Sequence, residues 1–295
     1  TDPYFTDDGV SRSIGAYRKD VNTNDLATAT YNTYSYGANV GFGLPLSEYD
    51  AIGVDATLDV TDIELGLNAS DEYLDYCKDI SGSSSTSGCN SDSLTFDTVF
   101  RTDTRNNAQF PTSGYTWKAT GEISMPVFDM RFYKFIASGE RYFPLSNDLT
   151  FKVRGQAGIA DSYGNTKYPF FKNFYMGGPK SVRGFDQASI GKKTLNSVTG
   201  KYETTGGKHS AFASAELFFP PPGLKNVKSF RLSTFLEGGG VFKNDFDGDV
   251  MRFSAGVGAL WLSPFGPLTI SYAKPLNEGT NDEVSTLQFG MGGAF

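Results

Sequence analysis

The chain has 295 residues, a formal net charge of −7, and 26 basic residues mixed among 33 acidic ones. That balance, without a basic run or stripe, argues against nucleic acid as a partner. Nothing approaches the about 20 consecutive apolar residues of a helical membrane span. The 25 Phe, 16 Tyr and 34 Gly instead fit a sheet protein whose apolar side chains alternate with small polar ones. A transmembrane barrel has that property, because lumen-facing residues dilute its hydropathy.

Period-two alternation in segments of about ten residues, separated by turn residues, is the dominant signal and predicts strands. Twelve segments are readable, at about 9–20, 30–44, 51–65, 93–103, 114–125, 131–144, 149–161, 209–219, 228–242, 250–262, 266–275 and 284–295. After the third comes a long connection, 66–92, holding Cys77 and Cys89 in a stretch dense in Ser, Gly and Asp. Two thiols with such flanks predict a disulfide across a loop, in an oxidising compartment. The alternative is a pair of free thiols. The fifth segment sets Tyr115, Trp117, Ala119 and Ile123 against Thr116, Lys118, Thr120 and Glu122. The seventh sets Leu149, Phe151, Val153, Ala157 and Ile159 against Thr150, Lys152, Arg154 and Gln156. In the tenth, Met251, Phe253, Ala255, Val257 and Trp261 share the apolar face. The last sets Leu287, Phe289, Met291 and Phe295 against Thr286, Gln288 and Ala294. A one-residue slip would invert each of these faces, so the registers are well defined.

Short turns at 45–50, 111–114, 146–148 and 263–266 contrast with long connections at 66–92 and 162–208. Short on one rim and long on the other is the connectivity of outer-membrane barrels. A soluble sandwich also alternates, but its long loops need not gather on one side. Aromatic residues near strand ends (Tyr4, Phe5, Tyr115, Tyr142, Phe143, Phe218, Phe219, Trp261, Phe265 and Tyr272) fit girdles at two membrane interfaces.

The 162–208 connection is the most informative stretch, because long loops in compact proteins are usually functional or disordered. It carries Phe170, Phe171, Phe174, Tyr175 and Phe185, too many aromatics for a solvated tail. Arg183, between Val182 and Gly184, is expected to be buried there. A buried guanidinium needs carboxylates placed for its fork of donors. In 211–219, Ala211, Ala213, Ala215, Leu217 and Phe219 form the apolar face, so Glu216 points the other way. In 230–237, Phe230, Leu232 and Leu236 share one face, which turns Arg231, Ser233 and Glu237 inward. Both glutamates are therefore candidate partners of Arg183. The plainer alternative is that these acids simply face lumenal water.

Enzyme readings find little support. The single histidine, His209, lies at a loop-to-strand junction beside Lys208 and Ser210. No Cys/His cluster has metal-ligand spacing, and no phosphate-binding GxxxxGK[ST] run is present. The acidic run from Asp245 to Asp249 reads as a solvated loop rather than a calcium site. Asn68, Ala69 and Ser70 match a glycosylation sequon, a pattern common by chance.

Several motifs occur together. Val182-Arg183-Gly184-Phe185 follows Asn173-Phe174-Tyr175 and Gly177-Gly178, and Asp2-Pro3-Tyr4-Phe5 stands near the start. Phe110-Pro111-Thr112-Ser113-Gly114-Tyr115 marks a turn, and the stretch from Trp261 to Leu268, with Ser271-Tyr272-Ala273 and Pro275-Leu276, makes a hairpin. The set, nearly end to end, resembles the BamA family of outer-membrane assembly factors. The tetrapeptide alone is shared with secretion transporters and chloroplast relatives. The resemblance implies a sixteen-stranded barrel preceded by periplasmic POTRA domains, of which this all-β chain would be one domain holding the last twelve strands, with the POTRA domains and first strands absent. It also implies that the 162–208 loop folds into the lumen, where Arg183 pairs with Glu216 and Glu237. The closing strand, with Leu287, Phe289, Met291 and Phe295, resembles the sorting signal of such barrels. The glycine run around Gly292 weakens it and permits a kink; in the family, that glycine lets the strand bend inward and open the seam.

The expected function is folding and insertion of β-barrel proteins into a Gram-negative outer membrane, without covalent chemistry, cofactor or metal. Expected partners are outer-membrane lipids, nascent β-barrel proteins and, through the parent protein, accessory lipoproteins. The alternatives are a two-partner-secretion transporter or channel of the same superfamily, a passive porin, and a soluble β-sandwich adhesin.

Overall fold

The computed structural model describes residues 1–23, 28, 31–66, 69–81, 87–196, 200–223, 229–264 and 266–291. The alternating segments become the long strands of one twelve-stranded sheet, with shorter pieces in the connections. The first half holds β1 (Ser11–Asn22), β2 (Tyr31–Pro45), β3 (Asp50–Leu65), helix α1 (Asp71–Ser81), β4 (Gly88–Asp103), β5 (Gly114–Ser124), β6 (Phe132–Pro144) and β7 (Thr150–Ser162). The long connection contributes β8 (Gly184–Phe185), β9 (Lys193–Leu195) and β10 (Tyr202–Thr204). Then follow β11 (His209–Phe219), β12 (Phe230–Phe242), β13 (Arg252–Ser263), β14 (Gly266–Pro275), β15 (Val284–Ser285) and β16 (Leu287–Met291). Consecutive long strands pair antiparallel, with β7 against β11 and β14 against β16. Among the described residues, β1 and β16 are the sheet's two edges.

The two faces are inverted relative to a soluble protein. Ile14, Val54, Phe135, Ile159, Val257 and Phe289 point outward and are exposed. Cross-strand partners such as Phe135 with Ile159, and Ile270 with Phe289, build that outer surface. The inner face carries buried Thr95, Glu140, Lys152, Ser214, Ser254 and Ser271. Apolar outside and polar inside suits a sheet solvated by hydrocarbon around a polar lumen. No described helix is long and apolar enough to cross a membrane.

The structure departs from two expectations about local structure. The 66–92 connection is not loop throughout: Asp71 and Glu72 open helix α1 and Lys78 lies in its last turn, as the helix dipole favours. Tyr73, Tyr76 and Cys77, spaced for one helical face, are buried together with Tyr31 and Phe170. Tyr73 stacks on Phe170 at 3.9 Å between ring centroids, and Cys77 is disulfide-bonded to Cys89 at the start of β4. Helix α1 thereby ties the sheet to the root of the long connection. Second, Tyr142 and Phe218 are not interfacial aromatics but buried ones. They share the parity of Glu140 and Glu216, and parity rather than nearness to a strand end decides the face.

Candidate functional site

The long connection folds against the inner face of the sheet, where Phe174, Met176, Val182, Phe185 and Ile190 pack with Phe212 and Val241 of the wall. Its tip is a closed hairpin: Gly178 N donates to Phe185 O at 3.0 Å, and Gly177 N to Ser181 Oγ at 2.9 Å. A Cβ at Gly177 would stand 2.2 Å from Asp186 O, and the residue has φ +111°, so only glycine fits this turn. The root is held separately. Lys172 Nζ lies 2.6 Å from Glu122 Oε1, and Lys134 Nζ donates to Lys172 O at 2.6 Å.

The tip presents Arg183 to two cross-strand rows of the wall. One row runs Lys152, Glu216, Phe235 across β7, β11 and β12; the next runs Arg154, Ser214, Glu237. Arg183 spans both. Its Nε and Nη2 donate to Glu237 Oε1 at 3.0 and 2.6 Å, and its backbone N to Glu237 Oε2 at 2.9 Å. Nη1 donates to Glu216 Oε1 at 3.3 Å. The guanidinium carbon lies 3.3 Å from the Phe235 ring centroid, a cation–π contact.

The carboxylates have further partners. Lys152 Nζ stands 2.9 Å from Glu216 Oε2, Ser233 Oγ donates to Glu216 at 2.8 Å, and Ser214 Oγ to Glu237 at 3.3 Å. All four charged side chains are buried, at 14 % exposure or less. Lys152 and Arg183 face Glu216 and Glu237, and Arg154, in the same row as Glu237, adds a third cation beside them. Burial disfavours the Arg183 charge, but the Glu216 and Glu237 carboxylates outweigh it and lift its pKa above the usual arginine value. The arrangement bonds the loop tip to the wall through one guanidinium and two carboxylates.

The structure thus brings Val182, Arg183, Gly184 and Phe185 together with Glu216 and Glu237. Cys77 and Cys89 sit apart, in the α1 cluster. Leu287, Phe289 and Met291 point outward and are exposed, while Gly292 and Phe295, like Phe265 and Asn68, lie outside the described residues. Reasoning from sequence missed Phe235 and did not join Lys152 to the group. Lys152 already stood on the polar face of its segment, and Phe235 has the parity of Ser233 and Glu237; its apolar ring hid an inward position.

An antiparallel sheet with an apolar outer band, a polar interior and a loop bound inside it defines a transmembrane β-barrel of the outer-membrane type. Residues 1–295 match the Omp85 superfamily domain, and the chain belongs to that superfamily. It is 33 % identical to the outer membrane protein assembly factor BamA of Neisseria meningitidis over its whole length, which is 41 % of that protein. The structure is similar to that of BamA from Haemophilus ducreyi lacking POTRA domains 1–3, with a TM-score of 0.89 and 26 % identity, covering 98 % of this chain and 59 % of that one. CdiB from Escherichia coli shares the fold at a TM-score of 0.54 and 14 % identity, covering 95 % of this chain and 48 % of its own. The chain therefore spans less than half of the Neisseria relative.

Proposed function

We propose that this chain is the barrel part of a factor that folds and inserts β-barrel proteins into a Gram-negative outer membrane, without covalent chemistry. The observation that carries the reading is the end-to-end likeness to BamA proteins, at 33 % identity in sequence and a TM-score of 0.89 in structure. The likeness to CdiB bears on fold alone, so the transporter alternative has less support. In this reading, an edge strand with open backbone groups templates an incoming strand by β-augmentation. A mismatched, short edge thins the bilayer beside it and lowers the insertion barrier. The partners are outer-membrane lipids, nascent barrels and, through the parent protein, accessory lipoproteins. Arg183, Glu216 and Glu237 hold the loop in the lumen and do no chemistry.

The test is complementation by the full-length protein carrying Arg183→Glu in cells depleted of the wild type, with porin levels followed. Glu237→Arg is the matched reversal, because Glu237 accepts three of the four bonds from Arg183. Loss of porins with Arg183→Glu and partial recovery in the double variant is the expected result. A wild-type protein that does not sustain porin assembly would refute the assembly reading. Equal function of Arg183→Glu and wild type would refute the role of the pair.

A further inference from the structure

The last strand of the sheet is shared between two partners. β14 pairs with β16 from Leu268 opposite Met291 to Tyr272 opposite Leu287. Continued in the same register, Ala273 would face Thr286, Lys274 would face Ser285 and Pro275 would face Val284. The first of these contacts is made, since Ala273 N donates to Thr286 O at 2.9 Å. The next two are not. Val284 and Ser285 pair instead with Phe185 and Gly184 of the loop tip. Asp186 N donates to Glu283 O at 2.9 Å, extending that ladder. The buried Gln288 side chain reaches back from the part still on β14, and its Nε2 donates to Phe185 O at 2.7 Å. A Cβ at Gly184 would stand 3.3 Å from Ala273 Cβ, which shows how closely the tip is pressed against β14. The connection before β15 is tied down in turn by an ion pair between Arg252 and Asp282.

Residues 284–285 are therefore laid against β8 and stand off the end of β14 whose register they would continue. We propose that the loop tip is a register clamp on the last strand. With Arg183 seated on Glu216 and Glu237, the tip draws residues 284–285 inward and holds the β14–β16 ladder at its short length. When the tip lifts, 284–285 transfer to β14 and the edge lengthens. Gln288 is the positioning residue that links the tip to the strand. The clamp deepens the function proposed above, since the length of an edge strand sets how much unpaired backbone it offers to another strand. It rests on the reading that Arg183 seats the tip.

The experiment is cysteine cross-linking of the full-length protein in isolated membranes, in a Cys77→Ser/Cys89→Ser background. Lys274→Cys with Ser285→Cys reports the transferred register, where the two would be directly opposite and within disulfide reach. Ile270→Cys with Phe289→Cys, already opposite each other, is the control. With Arg183 present, the test pair is expected to cross-link at most about a tenth as fast as the control. Arg183→Ala is expected to bring the two rates within about threefold, and Gln288→Met to give an intermediate rise with the control pair unchanged. If Arg183→Ala exposes the tip to protease while the test pair stays slow, the clamp is overturned and the seating role stands. If Arg183→Ala leaves the tip protected, the seating role fails, and Gly184→Val decides by displacing the tip elsewhere. A faster test pair in Gly184→Val then supports the clamp, and an unchanged one overturns it.

Discussion

Removing the Arg183 side chain should release the loop tip, and the geometry says where the cost falls. In Arg183→Ala, Glu216 keeps the Lys152 ammonium at 2.9 Å and the Ser233 hydroxyl at 2.8 Å. Glu237 keeps the Ser214 hydroxyl at 3.3 Å, the backbone N–H of residue 183 and the charge of Arg154 in its own row, but loses every guanidinium bond, so it becomes the more stranded charge. Breaking a buried pair by removing one partner costs about 3–5 kcal/mol. At 1.36 kcal/mol per factor of ten, tip opening rises by roughly 150- to 5,000-fold. The assay is limited trypsin digestion in native membranes, reading the cut after Lys180. That side chain is exposed, while its carbonyl accepts from Arg154 Nη1 at 3.2 Å within the tip. Cutting after exposed Lys192, beyond the tip in sequence, is the internal control. Cleavage follows the opening equilibrium as long as closing outpaces cutting. The stranded-charge account also fixes a ranking: adding Glu237→Gln to Arg183→Ala should recover part of the loss. Adding Glu216→Gln should not, because it takes away the carboxylate that Lys152 faces. Cleavage after Lys180 within threefold of wild type in Arg183→Ala, or rescue by Glu216→Gln rather than Glu237→Gln, would overturn the stranded-charge account.

Other perturbations have smaller, separable effects. Phe235→Leu removes the ring under the guanidinium and should weaken tip seating by about 1–2 kcal/mol, a 5- to 30-fold rise in the Lys180 cut; an unchanged rate would discount the cation–π contact. Gly184→Ala puts a side chain at φ +95° against Ala273 and should cost about 1–3 kcal/mol in the same assay. Reducing the Cys77–Cys89 disulfide, whose ends are 12 residues apart, should destabilise the α1 cap by about 3 kcal/mol. Amide hydrogen exchange should then accelerate in α1 and not in β11 or β12; equal acceleration throughout would mean that the cap is not an independent unit.

The strands were legible because hydrophobic alternation and sheet pleat have the same period, so the residues that face hydrocarbon announce themselves. Parity also placed Glu216 and Glu237 inward, and the resemblance to BamA pointed Arg183 at them. Helix α1 was missed because the surrounding Ser, Gly and Asp read as loop; the spacing of Tyr73, Tyr76 and Cys77 was the available signal. The division of 284–291 between two partners was not legible at all. Local alternation cannot say where a strand's backbone is bonded, and residues 284–285 are bonded to a loop tip about a hundred residues earlier in sequence.

A polar seat also explains how a loop can be specific in position yet removable. Replacing a buried ion group by well-packed apolar residues is often neutral or stabilising, so such a group is a poor way to maximise stability. What it supplies is register. A guanidinium fork meets two carboxylates in one orientation, whereas an apolar tip in a polar lumen would slide among many. The neighbouring glycines act to the same end, since Gly177 and Gly184 let the backbone come close enough for the fork to reach. Lifting the tip leaves Glu216 and Glu237 on a wall that still carries Lys152 and Arg154 and that water entering the lumen can solvate. The cost of release is therefore concentrated in a few charge-assisted bonds rather than spread over a large apolar area, which is the property required of a part that holds the last strand short in one state and frees it in another.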